Sequence, residues 1–248
     1  MNIDNSQNKP ITGLHWLLFT LLMSALLAAF LWLAFWQLER ADEKQAILTA
    51  IDQAQFLPLS MVDRNSPRFA KVSGRGQYDI QHSFLLDNQV ESGVVGVHLI
   101  TPLKLPGGDW LLVNRGWLKM PLDRSELPAF RTTATPVEIS GSLNLPPKTG
   151  IRMGGDTAID VSLPWPRLIT YLELDPAAAQ LGYPLLPQII QLDAKSASGY
   201  GERLRRPLNF GPEKHRGYAI TWFAFALVTV ILFIIIIRPG IKKYGKQA

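Results

Sequence analysis

The sequence predicts a membrane protein of α+β class, with two transmembrane helices flanking a β-rich, barrel-like exterior domain that carries one or two short helices. Three features of the 248-residue chain predict it. Two long apolar stretches lie near its ends. The segment between them is almost charge-neutral, and its apolar residues recur with a period of two. Clusters of Pro, Gly, Asp and Ser separate the period-two runs.

The second apolar stretch is the stronger. Tyr218 to Ile237 is twenty residues without a charge, and thirteen of them are Leu, Ile, Val or Phe. Twenty helical residues rise about 30 Å, the thickness of a bilayer's hydrocarbon core. Each such side chain favours insertion by roughly 0.3–0.6 kcal/mol, so together they contribute about 4–8 kcal/mol. The first stretch, Leu14 to Leu38, is too long for a signal-peptide core and has no small-residue cleavage pattern, which predicts a retained helix. The organisation is therefore residues 1–13, a span at 14–38, an exterior domain at 39–217, a span at 218–237, and a basic tail at 238–248.

Beyond the first span, Ile47, Ile51 and Ala54 share one helical face within Ala41 to Gln55. The spacing predicts that the first helix continues out of the membrane and stops at Pro58. The period then becomes two. Ala70, Val72, Gly74, Gly76 and Tyr78 alternate with polar residues and predict a strand, its glycines marking a bulge or a close backbone approach. Phe84 to Asn88, Val95 to Thr101 and Trp110 to Lys119 predict three more, the last two joined by a turn at Pro106-Gly107-Gly108-Asp109. Val137 to Leu145 is the cleanest alternation, and Ile189 to Asp193 predicts a final strand. Tyr171 to Leu181 predicts a short helix. Pro121 to Pro136 and Pro146 to Pro166 read as surface loops. A closed barrel would remove exposed strand edges.

Composition excludes several function classes. There is no cysteine, hence no disulfide, thiolate metal site or cysteine nucleophile. Of the net +5, Arg238, Lys242, Lys243 and Lys246 in the tail supply most, while residues 39–217 hold 20 basic and 19 acidic residues. This is a membrane-flanking anchor, so a lipid bilayer is a partner and nucleic acid is not. The charge count leaves orientation open: five basic residues from Arg203 to Arg216 oppose the four in the tail. Residues 1–13 carry one lysine and no arginine, against a mitochondrial transit peptide. No Gly-x-Ser-x-Gly occurs, and His15, His82, His98 and His215 lack helical metal spacing. Nothing points to an enzyme. Gly74-Arg75-Gly76 reads as a structural bulge, Arg115 as the partner of a carboxylate such as Asp87, and His98 as a surface or hydrogen-bonded strand residue.

His215 differs from the other histidines. It precedes the second span, at the depth where headgroups meet water, and an ionisable ring there is a functional candidate. On a continuous helix Tyr218 and Trp222 fall on its face. A neutral imidazole is a common axial ligand of haem iron, and Lys214, Arg216, Arg203, Arg205 and Arg206 could meet carboxylates such as propionates. The alternative is an interfacial belt in which Tyr and Trp anchor the helix and basic residues meet phosphates.

Several motifs then occur in a fixed order: Trp36-Gln37 with Arg40, Val72-Ser73-Gly74-Arg75, Leu85-Leu86-Asp87-Asn88, Gly96-Val97 before Thr101-Pro102-Leu103, Leu112-Val113-Asn114-Arg115-Gly116-Trp117, and His215 with Tyr218-Ala219-Ile220-Thr221-Trp222-Phe223. From Trp36 to Phe223 the chain resembles the Surfeit locus protein 1 (Shy) family, assembly factors of cytochrome c oxidase. The resemblance implies two membrane helices around an exterior domain, with both termini cytoplasmic, the main domain periplasmic and the protein in a bacterial inner membrane. It implies the oxidase core subunit as partner, and haem a synthase stands as a second candidate. It implies haem a as a transient cofactor, with His215 as the axial ligand of haem iron; Tyr218 and Trp222 match the family without an implied role, and the residue reading places Tyr218, Trp222 and Arg216 beside the cofactor. The function expected is to bind or present haem a for insertion into the core subunit. The alternative is a membrane scaffold that stabilises that subunit and never holds haem.

Overall fold

The computed structural model describes residues 13–123, 126–147, 164–194, 196–200 and 210–244, with side chains of the last helix described as far as Ile237. Expectations that fall on residues 1–12, on most of the Pro146–Pro166 loop, on Arg203, Arg205 and Arg206, and on the side chains of the basic tail lie outside these residues. The chain divides into two units, one of residues 1–49 with 207–248 and the other of residues 50–206.

The first unit is a pair of helices, α1 (Gly13–Asp52) and α3 (Pro212–Tyr244). Both are long and apolar enough to cross a membrane, and in neither is more than 11% of the most apolar window buried. Leucines at 14, 17, 18, 21 and 22 and isoleucines at 220, 231 and 235 face outward. A soluble protein would bury such faces; in lipid they are the solvated ones, and the helical backbone satisfies itself. The contacts between the helices pair Phe19 with Phe233, Phe30 with Trp222 and Phe35 with Phe223. Phe19 meets the C-terminal half of α3, whereas Phe30, Phe35 and Gln37 meet its N-terminal part, so the helices run antiparallel. Ala34 and Ala41 on α1, and Ala219 and Ala226 on α3, are buried and seven residues apart. Small residues at that spacing let backbones approach where no hydrophobic force draws helices together.

The predicted extension of the first helix is present as one continuous element to Asp52. It ends earlier than expected: Phe56–Pro58 is a strand, β1, followed by a 3₁₀ turn at Leu59–Met61. Three residues are too few for a period-two signal, and the parallel pairing of Phe56 with Lys71 creates the strand.

The second unit is a barrel. Its strands are β1, β2 (Lys71–Tyr78), β3 (Phe84–Glu91), β4 (Val94–Lys104), β5 (Trp110–Lys119), β6 (Val137–Asn144), β7 (Arg167–Ile169) and β8 (Ile189–Leu192). The sheet order is β1-β2-β6-β8-β5-β4-β3-β7, and β2 also pairs with β4. Tyr78 opposite Leu103 closes a ring of five strands. The eleven-residue β4 makes closure possible. One end pairs with β3 and the other with β2, and the register shifts at Leu99/Ile100 between them.

Every ring strand contributes to the enclosed core, through Val72 and Tyr78, Leu103, Leu111 and Val113, Ile139 and Leu143, and Ile190 and Leu192. Alternate residues Leu112 and Ile189 face the other way, into a cluster with Phe84, Leu86 and Ile100. The short helix α2 (Leu174–Leu181) covers that cluster with Ala177 and Leu181. Gly74-Arg75-Gly76 is not a bulge. The β2–β6 register runs unbroken from Lys71 to Gly76, and a Cβ on Gly74 would stand 2.9 Å from that of Leu59. The glycine marks a close approach instead.

Candidate functional site

The helix pair brings His215 to a specific partner. Pro212 opens α3, where its fixed φ and missing N–H cost nothing, so His215 lies in the first turn. Its Nδ1 is 2.7 Å from Oε1 of Gln37 on α1. The Phe210 ring stands against the imidazole at 4.6 Å and 67°, and Lys214 lies 5.2 Å above the same ring. Glu39 and Arg40 are the first charges after the apolar run of α1; Arg40 bonds Glu43 at 2.7 Å and lies over Trp36. The Gln37–His215 pair thus stands where the apolar helix meets its charged extension.

The three residues expected on one face divide between two contacts, with His215 in both: Trp222 shares α1 with it and Tyr218 shares Phe210. His215 and Trp222 both meet α1, Trp222 stacking on Phe30 at 5.9 Å. Tyr218 is 51% exposed and stacks on Phe210. The reason is angular: three residues advance a helix by roughly 300° and seven by roughly 700°, so Trp222 comes back nearer to His215 than Tyr218 does. Arg216 is exposed. Trp222 Nε1 is buried and has no hydrogen-bond partner among the described residues. An orphan donor costs about 1–3 kcal/mol, so a group in an apolar helix pair that lacks an acceptor is a notable feature. Gln37 is the residue that the reading of the chemistry missed. The available signal was a lone amide near the end of an otherwise apolar span.

In the barrel, Arg115 is 3% exposed and, among the described residues, pairs with no carboxylate. It donates Nε to Ser198 O at 2.9 Å, one terminal nitrogen to Thr132 Oγ1 at 2.8 Å and the other to Arg131 O at 2.8 Å. The rings of Tyr78 and Tyr200 lie 4.7 and 5.2 Å from the guanidinium carbon. Burial lowers its pKa, and the two tyrosines oppose the shift. The expected pairing with Asp87 does not form, because backbone carbonyls of two loops reach the guanidinium instead. Arg115 is thus a clamp on residues 131–132 and 198–200. His98 is hydrogen-bonded, as expected: Asn114 Nδ2 lies 3.2 Å from its Nδ1, and burial lowers its pKa.

A third polar cluster pins the turn after β2. Asp79 accepts from His82 Nδ1 at 2.6 Å and from Tyr183 OH at 2.8 Å, both at Oδ2, while Oδ1 accepts the Gln81 amide at 2.8 Å. Burial raises the Asp79 pKa, and these bonds outweigh it to leave a net lowering. Burial and Asp79 push the Tyr183 phenol above its ordinary range.

The chain matches the SURF1 family over residues 24–227, which include Gln37, Arg115, His215 and Trp222. It belongs to the SURF1 family. It is also 24% identical over 253 residues to a SURF1-like protein of Monosiga brevicollis, covering 95% of this chain and 92% of that protein. SURF1 proteins are oxidase assembly factors, and this member has the two apolar helices of a membrane protein. The Gln37–His215, Phe30–Trp222 and Phe35–Phe223 contacts of its helix pair and its Arg115 clamp lie within the matched span.

Proposed function

We propose that this SURF1 member holds haem a at the membrane boundary and presents it to the core subunit of cytochrome c oxidase. The observation that carries the reading is the Gln37–His215 bond. It occupies Nδ1 and leaves Nε2, the other ring nitrogen, without a partner among the described residues. A neutral imidazole with one nitrogen hydrogen-bonded is the ordinary form of a metal-ligating histidine.

The donor set fits such a cargo. His215 would supply a ring nitrogen to the iron, and Trp222 Nε1, which has no acceptor among the described residues, would supply a hydrogen-bond donor. Arg216 and Lys214 are exposed cations in the same helical turn as His215, suited to carboxylates at the water edge. Tyr218 offers an exposed aromatic face. The apolar outer surfaces of α1 and α3 suit a lipophilic tail. A single protein ligand also suits release, since a carrier must give up what it holds. The proposed setting is a bacterial inner membrane, with the barrel periplasmic and both termini cytoplasmic, and haem a synthase is a candidate donor.

The test is the visible absorption spectrum of the purified full chain from hosts with and without haem a synthesis. Haem a should copurify with the native protein and be lost in His215→Ala. A colourless native protein that still copurifies with the core subunit would replace the carrier with a haem-free scaffold.

A further inference from the structure

We infer that Gln37 is a positioning residue that holds the His215 imidazole in one tautomer, with the proton on Nδ1 and the lone pair on Nε2. The purpose of this tautomer rests on the carrier reading above; its geometry does not.

An amide oxygen carries no hydrogen, so the 2.7 Å contact between Gln37 Oε1 and His215 Nδ1 requires the ring nitrogen to donate. A neutral imidazole has one N–H, and spending it on Nδ1 makes Nε2 the acceptor. The two groups come from different helices, α1 and α3, so the tautomer depends on the helices being paired. Phe210 stands edgewise to the ring at 4.6 Å, which restrains its plane. Gln37 lies near the end of an apolar run, where an unmatched amide is costly, so the bond persists. A glutamine that only joins helices can direct its amide N–H at an unprotonated Nδ1; with Oε1 on the ring, Nε2 is the nitrogen left for coordination, and the ¹⁵N spectrum decides between the two orientations.

The experiment uses the full chain in detergent with ¹⁵N-labelled histidine. The chain has four histidines, and His215→Ala identifies the signals of this one. The wild-type protein without haem should show a protonated Nδ1 and an unprotonated Nε2. Gln37→Leu should lose that pattern and move toward the Nε2-protonated form. Gln37→Asn, which keeps the amide but shortens its reach, should do the same and guards against misfolding of the leucine variant. Gln37→Glu, which keeps an acceptor oxygen, should restore the native tautomer. In cells that make haem a, the Leu and Asn variants should hold haem about 10–100-fold more weakly, the usual cost of removing an outer partner of a ligating histidine, and Gln37→Glu should hold it nearly as well as wild type.

A wild-type His215 protonated on Nε2 overturns the inference, whatever the haem content. A tautomer that switches in the variants while haem retention stays constant overturns the positioning role. If His215→Ala also keeps its haem, the carrier reading fails with it. Wild-type Nδ1 protonation together with haem loss confined to the Leu and Asn variants supports both.

Discussion

Replacing Arg115 with methionine tests whether one buried cation organises the barrel's irregular segments. Methionine is of similar length and apolar, so it can occupy the space between Tyr78 and Tyr200 but donates nothing. Three hydrogen bonds of 2.8–2.9 Å disappear. Two of their acceptors are backbone carbonyls. At the low end of the cost of an orphaned acceptor, about 1 kcal/mol each, the loss is about 3 kcal/mol. The two cation–π contacts add about 0.5–2 kcal/mol each, partly recovered because methionine sulfur also packs on rings and the guanidinium is no longer desolvated. A net loss of about 3–5 kcal/mol follows. For a unit of this size about 2–4 °C accompanies each kcal/mol, so Tm should fall by roughly 10 °C. Tryptophan fluorescence of the full chain in detergent, followed through thermal and urea unfolding, reads this. Limited proteolysis should open new cuts at residues 126–136 and 196–200, which Arg115 and Tyr200 hold to β5. Arg115→Lys should recover little, because an ammonium on a flexible stem does not reproduce the guanidinium fork. A methionine variant with unchanged Tm and an unchanged proteolysis pattern would refute the clamp.

Three further outcomes are expected. Gly96→Ala should destabilise the barrel by about 1–3 kcal/mol or more, since the added Cβ would overlap the Trp117 indole and the Leu118 carbonyl on the paired strand; urea midpoints measure it. Burial holds the His98 pKa below its ordinary 6.5. Above that pH both states are neutral at this site; as pH falls through about 6.5 the unfolded chain takes the proton first, so stability drops toward the lower folded value. His98→Gln should flatten the fall in urea midpoint between pH 7.5 and 5.5. Trp222→Phe removes an unsatisfied donor, so the haem-free helix pair should be as stable as wild type or more so by about 1 kcal/mol, measured by detergent denaturation, while haem retention weakens.

The regular elements were legible because their signals are local. The alternation of Val137 to Leu145 appears directly as the buried residues Ile139, Gly141 and Leu143 of β6. The charge-free run from Tyr218 stands within α3. Elements made by pairing alone were not legible. β1 and β7 are three residues each and exist because Phe56 meets Lys71 and Phe84 meets Arg167. The acceptors of Arg115 were hidden for the same reason: they lie 16, 17 and 83 residues away in segments without periodicity.

The candidate site divides in the same way. His215 could be singled out from the sequence, because an imidazole at a bilayer edge is anomalous wherever the chain places it. Gln37 could not be tied to it, since 178 residues separate the two. Sequence by itself determined the two membrane helices, the β-rich middle and the family, which all rest on composition, period and ordered motifs. Tertiary structure decided ring closure through Tyr78 and Leu103, the neutral cage around Arg115 and the nitrogen of His215 that Gln37 occupies. Hydrogen bonds and packing are set by distance in space, which short-range pattern does not encode.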